Sequence, residues 1–369
     1  MSMTPKELII VGNGYDIHCG LNSKFKQYFD NCCKEKIQSF LEYIMSPNKK
    51  YQFSNDVNIW SIAMFIQYYL DDTARLRGRY AWLYNQNFGN ECQNWFNVEY
   101  LIYQLLTNTI DGRKSLKDYI SAGIDARMDL AKYGAPRSET KGDIYANPYQ
   151  AYVWFNPIIK EDPNEYLQEE LAKFERSFNS YLKQIVDEDD YTKKSSTFFN
   201  KLRMLGYDSI VINFNYTKIK NDYINNQINV HGSIEDRDII IGIDAEGANR
   251  ELIQFTKTYR NLKRLRSAFG FPEGIIHMSF YGHSLAEADF SYFYSMFEMY
   301  KLYDSKLTLV FYYSKYGETE EEEQENINKY TQSVCNLINT YATKAHNEQN
   351  LLHRLLLEGR ILIKEVEEG

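Results

Sequence analysis

Cysteine is scarce in this chain, with five residues in 369, and no two of them stand in Cys-x-x-Cys spacing. Cys19, Cys32, Cys33, Cys92 and Cys335 therefore spell neither a zinc ribbon nor a disulfide framework. The six histidines are scattered, and no His-Glu-x-x-His cluster occurs, so the zinc-hydrolase class has no support and no metal is expected. No run approaches the roughly 20 apolar residues of a membrane span. The start, Met-Ser-Met-Thr-Pro-Lys-Glu, has no apolar signal core, so a cytoplasmic protein without a membrane partner is expected. An excess of positive charge is also missing. The net charge of −8 argues against non-specific binding to nucleic acid, and no specific nucleic-acid partner is expected.

What is present is ordinary in bulk. Hydrophobic residues make up 44% and charged residues 25%, as in globular domains generally, and 369 residues suffice for one large domain or two ordinary ones. The 32 tyrosines reflect a compositional bias better than a base-stacking surface.

The most informative stretch is Leu8–Val11, a short apolar run that ends in Gly12-Asn13-Gly14-Tyr15-Asp16. A buried parallel strand turning into a helix reads this way. Glycines there let the backbone approach a ligand, and the next helix would aim its N–H groups at a phosphate. A simple tight bend fits equally, because the dinucleotide fingerprint wants a third glycine where Ile17 stands.

Further along, Phe25–Leu41 has helical character, and residues 55–133 are apolar, helical and poor in strands. An irregular segment, at 134–160, carries Pro136, Gly142, Pro148 and Pro157, and Pro163 then opens a long amphipathic helix. Strands are expected at 209–213, 228–231, 239–243, 274–281, 307–313 and 360–366. Helices are expected at 286–302, from Thr319 to Ala345 and at 351–357. The run Glu320–Glu323 suits the N-terminus of the second of these. The fold class expected is α/β: a Rossmann-like parallel sheet with a large helical insertion. Residues 1–30 and 200–369 would form the nucleotide-binding core and 31–199 the insertion.

Such sheets bind ligands at the carboxyl ends of their strands. Three more polar clusters fall there: Asn213-Phe214-Asn215-Tyr216-Thr217, His231-Gly232-Ser233, and Gly282-His283-Ser284-Leu285 followed by Asp289. Each has a structural alternative. Asn213 and Asn215 suit helix caps, His231 and His283 suit carbonyl-bonded turns, and Asp289 suits a helix dipole. Four such clusters in one chain point to a common polar pocket.

Together the motifs resemble the AbiH family of bacterial abortive-infection proteins, over residues 7 to about 313. Trp95-Phe96-Asn97-Val98-Glu99 is similar to that family's Trp-x-x-x-Glu segment. A remoter resemblance is to the sirtuin-like group of NAD-binding folds. That group's second motif ends in an acidic residue where Thr217 stands, and its zinc cysteines are missing here. The resemblance implies an anti-phage effector that binds NAD and hydrolyses its nicotinamide–ribose bond. Such cleavage builds positive charge on the ribose, so acidic groups and a held water are wanted. His231 is the candidate base, since its pKa lies near neutrality, and Asn215 would orient water or ribose. Gly12, Asn13, Gly14, Asn213, Thr217 and Gly232 would line the nucleotide, with Gly282, His283 and Ser284 on the far wall. Asp16, Glu99 and Asp289 would supply negative charge. A non-catalytic sensor of NAD or an ADP-ribose derivative is the alternative, and a nucleic-acid-targeting effector a further one. A phage-derived trigger and a homo-oligomer are the other partners expected.

Overall fold

The computed structural model describes residues 7–46, 51–70, 76, 78–80, 98–110, 112, 114–133, 146–156, 160–188, 190–203, 209–244, 250–264, 271–317, 319–346 and 350–366. The chain divides into two compact units. The first comprises residues 1–23, 183–239 and 261–369, and the second residues 24–182 and 240–260.

The first unit is built on six strands, β1 Glu7–Val11, β2 Ser209–Asn213, β3 Ile224–Asn229, β4 His277–Tyr281, β5 Thr308–Tyr313 and β6 Ile361–Glu365. They form one all-parallel sheet in the order β3-β2-β1-β4-β5-β6. This is a Rossmann-like α/β fold, with the chain's first strand at its centre. Both faces are covered, which is why β1 and β2 are apolar without alternation. Leu8, Ile10, Ile210, Met278 and Phe280 pack on one face beneath helices Phe290–Met299 and Glu320–His346. Ile9, Val11 and Val211 pack on the other, against helix Tyr191–Leu202. The alternation follows from side chains pointing to opposite faces along a strand.

The Glu320–His346 helix starts as expected, with the Glu322 N–H donating to Thr319 Oγ1 at 3.2 Å. Strand β3 departs from expectation. It starts earlier, at Ile224, and ends at Asn229, so His231 lies beyond it in a turn. At a sheet edge it pairs with β2 alone, so its polar Asn225-Asn226-Gln227 are tolerated and no apolar run announces it.

The second unit is helical among the described residues. Its helices include Ile59–Tyr68, Val98–Thr107, Leu116–Tyr133 and Pro148–Phe155. The long Pro163–Glu188 helix also begins here, where Pro163 predicted it. Three sequence expectations change in this unit. The helix expected over Phe25–Leu41 is broken by a π turn, Phe29–Cys33, between Phe25–Tyr28 and Lys34–Met45. Phe29 and Cys33, at the two ends of this turn, are both buried. In the segment read as irregular, Pro148–Phe155 is a helix. Asn147 caps it by accepting from the Tyr149 and Gln150 N–H groups at 2.9 and 3.2 Å, and Pro148 takes the first position. Residues 134–145 and 157–159 of that segment lie outside the described residues. The strand expected at 239–243 does not join the sheet. The Ile241 N–H donates to Glu175 Oε1 at 2.7 Å and its carbonyl accepts from the Arg260 guanidinium, so side chains replace the ladder.

Candidate functional site

The sheet order reverses direction of growth between β1 and β4. In open α/β sheets that point opens a crevice beyond the carboxyl ends of the strands. Gly12 follows β1 and Gly282 follows β4, so two glycine turns meet there. They interlock backbone to backbone. The Gly12 N–H donates to the Tyr281 carbonyl at 3.0 Å, and the Gly14 N–H to the Gly282 carbonyl at 2.7 Å. A Cβ on Gly282, where φ is +67°, would sit 2.3 Å from the Tyr15 nitrogen. The glycines are thus demanded by the approach of two protein loops. The N–H groups of Gly12 and Gly14, expected to hold a diphosphate, are spent on carbonyls instead.

Beneath this junction lies a buried carboxylate. Asp16 is 2% exposed. Tyr191 O–H donates to its Oδ1 at 2.6 Å, and the Thr217 hydroxyl donates to its Oδ2 at 2.9 Å. The Asn215 amide donates to Oδ1 at 3.2 Å and to the Gly12 carbonyl at 3.0 Å. Loss of solvation pushes the Asp16 pKa up to about 7, against the pull of the Tyr191 and Thr217 hydrogen bonds. Asn215 therefore ties the β1 turn to the β2 turn, with its N–H2 group turned inward. Thr217, which departs from the acidic residue of the sirtuin-like pattern, is the carboxylate's donor. No helix follows β2 for Asn213 to cap. Its Oδ1 accepts from the Asn215 N–H at 2.8 Å and its amide donates to the Thr217 carbonyl at 2.7 Å. Asn13 accepts from the Ser23 hydroxyl at 2.6 Å. Gly232 has φ +84°, and a Cβ there would meet the Asp238 carbonyl at 2.1 Å.

A second group gathers on the segments after β3 and β4. His231 Nε2 stands 3.6 Å from Asp289 Oδ1, and His283 Nε2 stands 3.4 Å from Asp289 Oδ2. One carboxylate thus faces two imidazoles, at ion-pair distances somewhat longer than a good hydrogen bond. Asp289 reaches this place from a 3-10 turn, Glu287–Asp289, that leads into helix Phe290–Met299. Phe214 packs edge-on against both rings, with centroids 5.6 Å from His231 and 4.6 Å from His283. Tyr292 closes on His231 at 5.8 Å. Both imidazoles are nearly buried, at 4% and 6% exposed. Ser284 is exposed beside them. Such a set can hold or move a proton near a hydroxyl or water.

Every expected site residue except Glu99 belongs to the first unit. Glu99 lies in the second, where its carboxylate pairs with the buried Lys257 at 2.7 Å. Trp95, Phe96 and Asn97 of the expected Trp-x-x-x-Glu segment lie outside the described residues. Sequence reasoning missed Tyr191, because helix Tyr191–Leu202 was not expected, and it missed the roles of Phe214 and Tyr292. The only advance signal was Asp190, which precedes an amphipathic Tyr191, Ser195, Phe198, Phe199, Leu202 pattern.

Among the described residues no group of three or more His, Cys, Asp or Glu is arranged to hold a metal ion, and no helix is long and apolar enough to cross a membrane. No curated protein and no solved structure matches the chain. A family model does: the one described as bacteriophage abortive infection AbiH matches residues 8–313. With most of its 369 residues under that match, the chain belongs to the AbiH family of bacteriophage abortive-infection proteins.

Proposed function

We propose that this abortive-infection protein acts on a dinucleotide, binding NAD at the carboxyl edge of its sheet and hydrolysing the nicotinamide–ribose bond. The observation that carries this reading is the His231–Asp289–His283 group beside the β1/β4 reversal, in a sheet whose strand order is the one dinucleotides occupy in other folds. His231 takes the proton of a water or ribose hydroxyl. Asp289 balances the positive charge that grows as nicotinamide leaves. Because Gly12 and Gly14 have spent their N–H groups, the diphosphate rests on other donors of the crevice. NAD loss would then halt the infected cell. The test is release of free nicotinamide from NAD by the purified protein. His231→Ala is expected to slow release by about 100-fold or more, as loss of a general base does. Wild-type protein that releases none, with or without phage lysate, rejects hydrolysis.

One observation favours a second reading, a sensor without turnover. Asn215, expected to orient the water, has its amide engaged by Asp16 and Gly12. A sensor predicts that NAD or ADP-ribose raises the melting temperature while nicotinamide stays bound in the dinucleotide.

A further inference from the structure

The edge position of β3 permits its polar residues, and two of them also have partners beyond the strand. The chain between Asn213 and Ile224 forms neither helix nor strand, so its backbone groups must find partners elsewhere. Asn229, which stands opposite Asn213 in the ladder, donates through Nδ2 to the Asn215 carbonyl at 2.9 Å and to the Thr217 carbonyl at 2.8 Å. Its Oδ1 accepts from Gln227 Nε2 at 2.9 Å, and Gln227 Oε1 accepts from the Ile219 N–H at 3.2 Å. The carbonyls at one end can only accept and the N–H at the other can only donate, so both side-chain amides have a single workable orientation. This chain of bonds starts and ends on the same loop, and Asn229 is buried beneath it.

The loop held in this way joins the two polar groups of the site. Phe214 packs against His231 and His283, Asn215 donates to the Gly12 carbonyl and to Asp16, and the Thr217 hydroxyl donates to Asp16. We infer that Asn229 is a positioning residue of the candidate site: its amide, oriented by Gln227, sets where Phe214, Asn215 and Thr217 stand. The inference rests on the proposed reading only in taking those three residues as parts of a working site. Asn213 assists from β2, its amide donating to the same Thr217 carbonyl at 2.7 Å. Both lone pairs of that carbonyl are thus taken by side chains of adjacent strands.

Asp16 reports on the loop. Two of its donors, Asn215 and Thr217, ride on it, and hydrogen bonds to an ionised carboxylate favour that form. Loosening the loop therefore raises the pH at which Asp16 ionises. The titratable groups around Asp16 are Tyr15 and Cys19 on its own segment, Tyr191 on the covering helix and Glu235 on the segment after β3. Changes at Asn229 and Gln227 leave all four in place.

The experiment is carbon NMR of the full chain labelled at the aspartate side-chain carboxyl, titrated between about pH 5 and 9, with the Asp16 signal assigned by its loss in Asp16→Asn. Asn229→Leu keeps the side-chain size and removes its hydrogen bonds. It is expected to raise the Asp16 midpoint by about one pH unit, the effect of weakening one hydrogen bond to a charged group. Gln227→Leu, a milder change at a half-buried position, is expected to raise it by less. Asn226→Ala, exposed on the same strand, is expected to leave it unmoved. A midpoint within about 0.2 units of wild type in Asn229→Leu overturns the inference, and where that variant does not fold the same result in Gln227→Leu does so. An equal shift in Asn226→Ala also overturns it, because it would mark a general loosening of β3. In nicotinamide release Asn229→Leu is expected to lose about tenfold or more in kcat, since a misplacement of about 1 Å can cost about 100-fold. Wild-type protein that releases no nicotinamide rejects the proposed reaction, while the Asp16 spectra judge the positioning role without it.

Discussion

Gly282 is a residue whose replacement the fold tolerates poorly. Alanine there combines a left-handed backbone with a Cβ 2.3 Å from the Tyr15 nitrogen. The conformational part alone costs about 1–2 kcal/mol, and the displaced backbone adds to it. Gly282→Ala is expected to lower stability by more than about 2 kcal/mol in urea unfolding; a change below about 0.5 kcal/mol would mean the two turns are not locked. Asp16 makes a prediction of different sign with pH. Its folded pKa, about 7, lies above the ordinary carboxylate value of 3.8. The folded state therefore holds the proton more tightly than the unfolded chain between these values. Stability contributed by Asp16 is present at low pH and falls as pH rises toward 7, by an amount on the order of a few kcal/mol. Asp16→Asn removes the titration. Relative to wild type, the variant should gain stability between about pH 5 and 8, measured by urea midpoints at both. A parallel pH dependence in the two proteins would contradict the burial of a titrating carboxylate.

At the scale of elements, legibility followed burial on both faces. Strands β1 and β2 were plain because a sheet covered on both sides needs unbroken apolar runs. Edge strand β3 was misplaced because Asn225, Asn226 and Gln227 need cover on neither face nor a partner beyond β2. The run 239–243 looked like a strand for the opposite reason. It is apolar and buried, but a Glu175 side chain takes its backbone bond, and side-chain partners leave no periodic trace. Helix Pro148–Phe155 was hidden because Pro148 was counted with the turn residues of 134–160, when it is a first-turn residue behind the Asn147 cap. The Asn147 cap is therefore testable. Asn147→Ala should cost about 1 kcal/mol, read by denaturant unfolding of the full chain, and Asn147→Ser should recover most of it. Within the site, the placement of the clusters at strand ends could be read from the sequence, but their division of labour could not. Nothing in Asn215 or Gly12 announces that its polar groups face inward, whereas pairing of His231 and His283 on Asp289 depends on turns far apart in sequence.

Across the whole molecule, the sheet order puts the N-terminal strand at the centre of the α/β core, and the family match begins within that strand, at residue 8. The acidic balance of −8 bears on the nucleic-acid alternative. Affinity built on phosphate contacts falls steeply between about 50 and 200 mM salt. Labelled DNA and RNA are expected to show no such salt-sensitive binding in fluorescence anisotropy, and tight, steeply salt-dependent binding would favour a nucleic-acid target over a dinucleotide. The central place of β1 has a consequence in time. Glu7–Val11 leaves the ribosome first, yet its two neighbours begin at Ser209 and His277. At about 5–20 residues per second, the strand waits roughly a quarter of a minute to a minute for its second partner. His231, His283 and Asp289 come together only after that strand is in place. The site proposed for this abortive-infection protein is thus completed only once residue 289 of 369 has been made.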